Sequence, residues 1–225
     1  MNILWTFGDS MTFGHGCNDS CISETKINYL PYKKEGDDIW PNHLGKLLNY
    51  QVNNLGKNGA SNDYIFDSII ENFDLIKEND IVVINMTLFG RIDVPIGDTT
   101  YNIYDVLASY EGAKTLIGNT NNNKDKEIVE TIINFQYYFS NHIFYKNRHK
   151  KRFEFIKKRL LNEKKIKFIY LWSLEEDDGI YASFETIYKA TNGIVNDTHF
   201  SFNGNFNFAH FIYNFIKNKV KPSLI

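Results

Sequence analysis

Gly8-Asp9-Ser10 directly follows the apolar run Ile3 to Phe7, and that placement makes Ser10 the first candidate for chemistry. A serine hydroxyl is a poor nucleophile until a base removes its proton and oriented donors receive the charge that develops on an attacked carbonyl. A chain using this chemistry needs an exposed serine, an imidazole and well-aimed N–H groups. A strand ending at Gly8 would set Ser10 at the carboxyl edge of a sheet, where open α/β folds bind their ligands. The six histidines supply the imidazoles, and His15, His43, His142, His149 and His210, each lacking a motif around it, read as structural or merely exposed.

Phe7-Gly8-Asp9-Ser10-Met11-Thr12-Phe13-Gly14 resembles the first block of the SGNH (GDSL-type) hydrolases, and Asn54-Leu55-Gly56-Lys57-Asn58-Gly59-Ala60-Ser61-Asn62 resembles the second. Gly59 aligns with the glycine whose backbone N–H, beside that of Ser10 itself, serves the oxyanion hole; lacking a Cβ, it lets the backbone approach the carbonyl closely. The third block departs from the family. Val82-Val83-Ile84-Asn85-Met86-Thr87-Leu88-Phe89-Gly90-Arg91 lacks the Gly-x-Asn-Asp segment, so Asn85 and Thr87 stand as substitute donors. A donor lost outright costs roughly a hundred- to a thousandfold in turnover. Asp9, Asn62 and Arg91 are candidates for substrate contact.

The family's last block is matched by Asn196-Asp197-Thr198-His199-Phe200-Ser201-Phe202-Asn203-Gly204, with Asp197 two positions before His199 instead of the usual three. The resemblance makes His199 the base for Ser10. Asp197 would then accept from Nδ1–H and fix the tautomer, or else His199 works as a dyad oriented by a backbone carbonyl. The resemblance implies a serine esterase acting through an acyl-enzyme on Ser10, with no metal or other cofactor, on a small-molecule or saccharide ester. A short acyl group, such as acetyl on a carbohydrate, is preferred over a lipid. The Trp40-Pro41-Asn42 and 59–63 segments also resemble phage-encoded members, which implies association with a virion, as an enzyme or as an inactive binding or structural module. An acyltransferase of the same fold is a further alternative.

The elements that would position these residues alternate. Strands are expected at Ile3–Phe7, Val52–Leu55, Ile81–Ile84 and Lys167–Trp172. Helical spacing joins Trp40, Leu44, Leu47 and Leu48, then runs from Tyr64 to Lys77, from Lys126 to about Lys165 as one kinked helix or two, and from Phe206 to Lys217. This order predicts an α/β class: a three-layer α/β/α sandwich around a parallel sheet, of the flavodoxin-like type that the SGNH resemblance also implies. Residues 95–125 read as a long loop, a lid or insertion, and Tyr101, Tyr104 and Tyr110 within it, with Trp40, as packing or as an acyl- or sugar-binding lining.

The chain has 225 residues, 43% of them hydrophobic, enough for one α/β domain spanning 1–225. Its 25 basic and 27 acidic residues leave a formal charge of -2, so no global field favours nucleic acid or an anionic membrane. The basic run from Lys146 to Arg159 then reads as a solvated helix face. Cys17 and Cys21 lack a second pair of zinc ligands and read as free thiols. The first residues do not resemble a secretion signal, and a cytoplasmic protein is expected, with virion association as the alternative.

Overall fold

Four short apolar runs pair side by side, all in one direction, to make the centre of the molecule. The computed structural model describes residues 2–14, 39–96, 99–103, 123–139, 142–166, 168–173, 200 and 202–218. Strands β1 (Ile3–Phe7), β2 (Gln51–Asn54), β3 (Ile81–Met86) and β6 (Phe168–Ser173) form a parallel sheet in the order β2-β1-β3-β6. Leu4 lies opposite Val52 on one side and Ile81 on the other, and Ile81 in turn lies opposite Phe168.

Side chains alternate across a strand, so each strand feeds two cores. Trp5, Phe7, Val82, Ile84 and Met86 pack on one face with Ile65, Phe66 and Ile69 of α3 (Asn62–Glu71), and that cluster continues into α4 (Asn123–Phe139) and α5 (His142–Glu163). Leu4, Ile81 and Val83 pack on the other face with Trp40 and Leu44 of α2 (Trp40–Leu48) and Phe208, Ala209 and Ile212 of α6 (Phe202–Asn218). Helices covering both faces make this the expected three-layer α/β/α sandwich. A buried carboxylate pins the amino edge: Asp80 Oδ1 accepts from Ile3 N, and its Oδ2 accepts from Trp5 Nε1 and Lys77 N, each at 2.9 Å.

Two expected elements differ. The helix predicted from Tyr64 to Lys77 instead begins at Asn62 and ends at Glu71, followed by a short 3-10 turn at Phe73–Leu75. Ser61 caps its start by accepting from Tyr64 N at 3.0 Å, and Asn72 closes its end by donating from its side chain to Ser68 O at 2.8 Å. The long loop expected from residue 95 begins instead inside an antiparallel hairpin, β4 (Ile92–Ile96) with β5 (Thr99–Ile103). The remainder of that stretch, 104–122, lies outside the described residues. The expectation of one kinked helix or two resolves as two, α4 and α5. Among the described residues no helix is long and apolar enough to cross a membrane.

Candidate active site

The chain passes from β1 outward to β2 and then back across β1 to β3, so the carboxyl ends of β1 and β3 flank the point where the direction of winding reverses. In open α/β sheets that point is where a crevice forms. Ser10 follows β1 there. Asp9 caps the single-turn helix α1 (Ser10–Phe13), its Oδ1 accepting from Met11 N at 3.1 Å. Ser10 opens that turn with 6% of its surface exposed, well short of the open hydroxyl expected.

Asn85 reaches this turn from β3. Its Nδ2 donates to Asp9 Oδ1 at 3.1 Å and to Thr12 Oγ1 at 3.0 Å, so both amide hydrogens are committed beneath α1. Expected as an oxyanion donor, the side chain here ties β3 to the turn that begins with Ser10. Asp9, expected at substrate, is 1% exposed and serves as the cap of α1.

The glycine turn after β2 is pressed against α1. Asn54 Oδ1 accepts from Gly56 N at 3.0 Å and from Thr6 Oγ1 at 3.1 Å, while its Nδ2 donates to Thr12 O at 2.9 Å. Lys57 N donates to Gly8 O at 3.0 Å. A Cβ on Gly56 would stand 2.5 Å from Phe13 N, so glycine is required there by close approach. Gly59 has φ +74°, the left-handed region, and turns the chain before Ala60 and Ser61. Both glycines therefore serve the turn, and Lys57, two residues before Gly59, is hydrogen-bonded to Gly8 of the segment leading to Ser10.

Beyond β3, Asn62 holds the chain. Thr87 N donates to Asn62 Oδ1 at 2.9 Å, and Asn62 Nδ2 donates back to Thr87 O at 2.9 Å. Asn62, expected at substrate, is completely buried and clamps the backbone of Thr87. Thr87 Oγ1 is buried with no hydrogen-bond partner among the described residues. Arg91, expected beside substrate, is 2% exposed; its Nη1 donates to Ala60 O at 3.2 Å and lies 3.6 Å from Asp9 Oδ2.

Behind the clamp sits His149, one of the histidines read as structural. Its Nδ1 lies 3.4 Å from Asn62 Nδ2, its Nε2 lies 3.8 Å from Asp63 Oδ1, and its ring stacks at 5.9 Å on that of Phe89. Burial pushes its pKa down to about 4; Asp63 opposes that shift, and Arg148 and Arg152 add to it. A neutral ring with its proton on Nε2 accepts from Asn62 at Nδ1 and turns its N–H toward the Asp63 carboxylate. No sequence signal singled out this residue.

His199 and Asp197 lie outside the described residues, as do His15, Cys17, Cys21, Tyr104 and Tyr110. Their neighbour Phe200 is described and almost fully buried. Phe200 O accepts from Asn205 Nδ2 at 3.2 Å, Asn205 Oδ1 accepts from Trp40 N at 2.9 Å, and Trp40 Nε1 donates to Met11 O at 3.1 Å. Three hydrogen bonds thus link the residue after His199 to the residue after Ser10. Trp40, fully buried edge-on to Phe208, is packing and not a sugar platform.

A groove of about 730 Å³ opens beside the glycine turn, lined by Lys57, Tyr64, Asp67 and Glu71 with Arg148 and Arg152 on its far side. These arginines face acid: Arg152 pairs with Asp63 and, at 2.9 Å, with Asp67, and Arg148 lies 3.5 Å from Asp63. This part of the basic run is therefore balanced by α3. Among the described residues no group of three His, Cys, Asp or Glu is placed to hold a metal ion.

No family model matches the chain, and no curated protein matches it. Solved structures similar to it include an acetyl xylan esterase from Butyrivibrio proteoclasticus, 12% identical with a TM-score of 0.46, the match covering 97% of this chain and 64% of that one. A carbohydrate esterase family 2 enzyme with a carbohydrate-binding domain from Myceliophthora fergusii is 11% identical with a TM-score of 0.42, covering 96% of this chain and 66% of that one. A member of the lipolytic G-D-S-L family from Veillonella parvula is 16% identical with a TM-score of 0.38, covering 100% of both chains. At these scores the likeness assigns no role to any residue of this chain.

Proposed function

We infer that the chain is a serine esterase in which Ser10 is the nucleophile and His199 its base. The observation that carries this reading is the meeting of two turns: Lys57 N on Gly8 O and Asn54 on Thr12 O bring the glycine turn against the turn that begins with Ser10. At the winding-reversal point of a parallel sheet, that juxtaposition offers a hydroxyl and backbone N–H groups to one carbonyl.

His199 Nε2 takes the Ser10 proton as Oγ attacks the acyl carbon, and the amides of Ser10 and Gly59 receive the oxyanion. Collapse releases the alcohol, protonated by His199, and leaves an acyl group on Ser10. Water, deprotonated by the same imidazole, then attacks that ester and frees the acid and the serine. Asp197 orients His199. With Asn85 committed beneath α1, the hydroxyl of Thr87 is the remaining candidate for a third donor. The acyl group is short, with acetyl on a saccharide the preferred substrate.

Hydrolysis of p-nitrophenyl acetate by the wild type, lost in Ser10→Ala and in His199→Ala, tests the reading, as does labelling by a fluorophosphonate that needs both residues. A binding protein of the same fold is the second reading, favoured by the engaged N–H groups of Asn85 and Thr87. Turnover independent of Ser10, or none, would decide for it.

A further inference from the structure

We propose that Arg91 is a positioning residue that sets the nucleophile turn against the glycine turn, an inference that rests on the esterase reading above. Its guanidinium is buried, and a buried charge is tolerated only where its surroundings compensate it. Among its partners, two described groups adjoin the elements that carry Ser10 and Gly59. On one side, 3.6 Å away, stands Asp9 Oδ2, the other oxygen of the carboxylate that caps α1 one residue before Ser10. On the other, 3.2 Å away, stands the carbonyl of Ala60, one residue after Gly59.

Arg91 itself follows the third strand, so one side chain ties together all three turns at the carboxyl edge of the sheet. Lys57 and Asn54 already bring two of them close. What the arginine adds is a fixed separation between the cap that orients Ser10 and the peptide that follows the Gly59 amide. A planar fork with several donors serves two directions at once, which an ammonium on a flexible stem does not. At 2% exposure the side chain is enclosed by these groups and not open to solvent.

The test uses Arg91→Lys, Arg91→Met and the double variant Asp9→Asn/Arg91→Met, in which the carboxylate left without its partner is also removed and an asparagine cap remains. With a short neutral ester, kcat falls roughly tenfold in Arg91→Lys and roughly a hundredfold in both variants carrying Arg91→Met, as expected for a displacement of about 1 Å, while KM stays within about twofold. The double variant regains thermal stability and keeps the loss of kcat. Amide hydrogen exchange quickens in peptides covering 8–14 and 56–61, with β3 unchanged. Recovery of kcat together with stability in the double variant would reduce Arg91 to a structural role and overturn the proposal. So would a rise in KM at constant kcat, which marks a substrate contact. If the wild type shows no Ser10-dependent turnover, the esterase reading fails by itself; unchanged exchange at both turns then overturns the positioning role separately.

Discussion

The side chain of Asn62 grips the backbone of Thr87 at both its N–H and its C=O, each at 2.9 Å. A residue at the start of α3 thereby fixes the chain where it leaves β3, and His149 of α5 backs the same amide. Helix α5, remote from Ser10 in sequence, is in this way connected to the rim of the candidate site. A strand exit held through both backbone groups presents its side chains in one orientation.

His149 makes that arrangement sensitive to acid. The ring is held neutral in the fold with a pKa near 4, against 6.5 for the unfolded chain. Between these values the unfolded chain binds more protons, so stability rises with pH through this window and is lost as pH falls from about 6.5 towards 4. The full difference is worth about 3 kcal/mol. Urea denaturation of wild type and His149→Gln at several pH values between 7.5 and 4 should show a steeper loss in the wild type. Equal slopes would mean that His149 is not held neutral.

Thr87 separates catalysis from stability. Its hydroxyl is buried without a partner among the described residues, so Thr87→Val removes an unsatisfied polar group and should leave the midpoint of denaturation unchanged or raised. If that hydroxyl turns to the oxyanion in the reaction, the same variant loses roughly a hundred- to a thousandfold in kcat, and Thr87→Ser retains most of it. A fully active Thr87→Val would leave the backbone amides of Ser10 and Gly59 as the whole oxyanion hole.

Much of the sheet was legible because buried parallel strands are nearly continuous apolar runs: Ile3–Phe7 was bounded as observed, and Ile81–Ile84 fell short of its strand by two residues. The hairpin was not. Gly97-Asp98 between two strand-like runs is a two-residue hairpin signature, but Pro95 within the first run argues against a strand, and the pairing that tolerates it is a tertiary fact. At the site, Ser10 and Gly59 were visible from a strand end and a glycine turn. Asp9, Asn62, Asn85 and Arg91 were expected at substrate or oxyanion, and each is engaged with neighbours inside the protein. Polar side chains near strand ends suggest a crevice lining, whereas here they satisfy one another and the backbone inside the protein, and residue type does not distinguish the two. Asn205, which joins distant turns, carries no local pattern, whereas Asn54 stands first in the glycine block.

Asp80 should be the costliest polar side chain to remove from the far edge of the sheet. It is 3% exposed and accepts three hydrogen bonds, from Ile3 N, Trp5 Nε1 and Lys77 N. Asp80→Ala leaves buried donors unsatisfied and should cost about 3 kcal/mol, while Asp80→Asn, keeping one acceptor oxygen, should cost less. Chemical denaturation followed by tryptophan fluorescence reads both, since the indole of Trp5 loses a partner. A loss below about 1 kcal/mol in Asp80→Ala would show that water replaces the carboxylate.

A methyl group added at Gly56 reports on the contact between the two turns. Its Cβ would meet backbone atoms, Phe13 N at 2.5 Å and Thr12 C at 2.8 Å, which cannot rotate aside, so α1 must shift as a unit and carry Ser10 with it. Gly45 is the control: a Cβ there would stand 2.2 Å from Val52 Cγ2, within the packing of α2 on β2. Both Gly56→Ala and Gly45→Ala should lose about 1–3 kcal/mol of stability from overpacking. Only Gly56→Ala should also slow fluorophosphonate labelling of Ser10, by roughly a hundredfold for a displacement near 1 Å. Equal labelling rates in the two variants would mean that the contact between the glycine turn and α1 does not govern where the nucleophile stands.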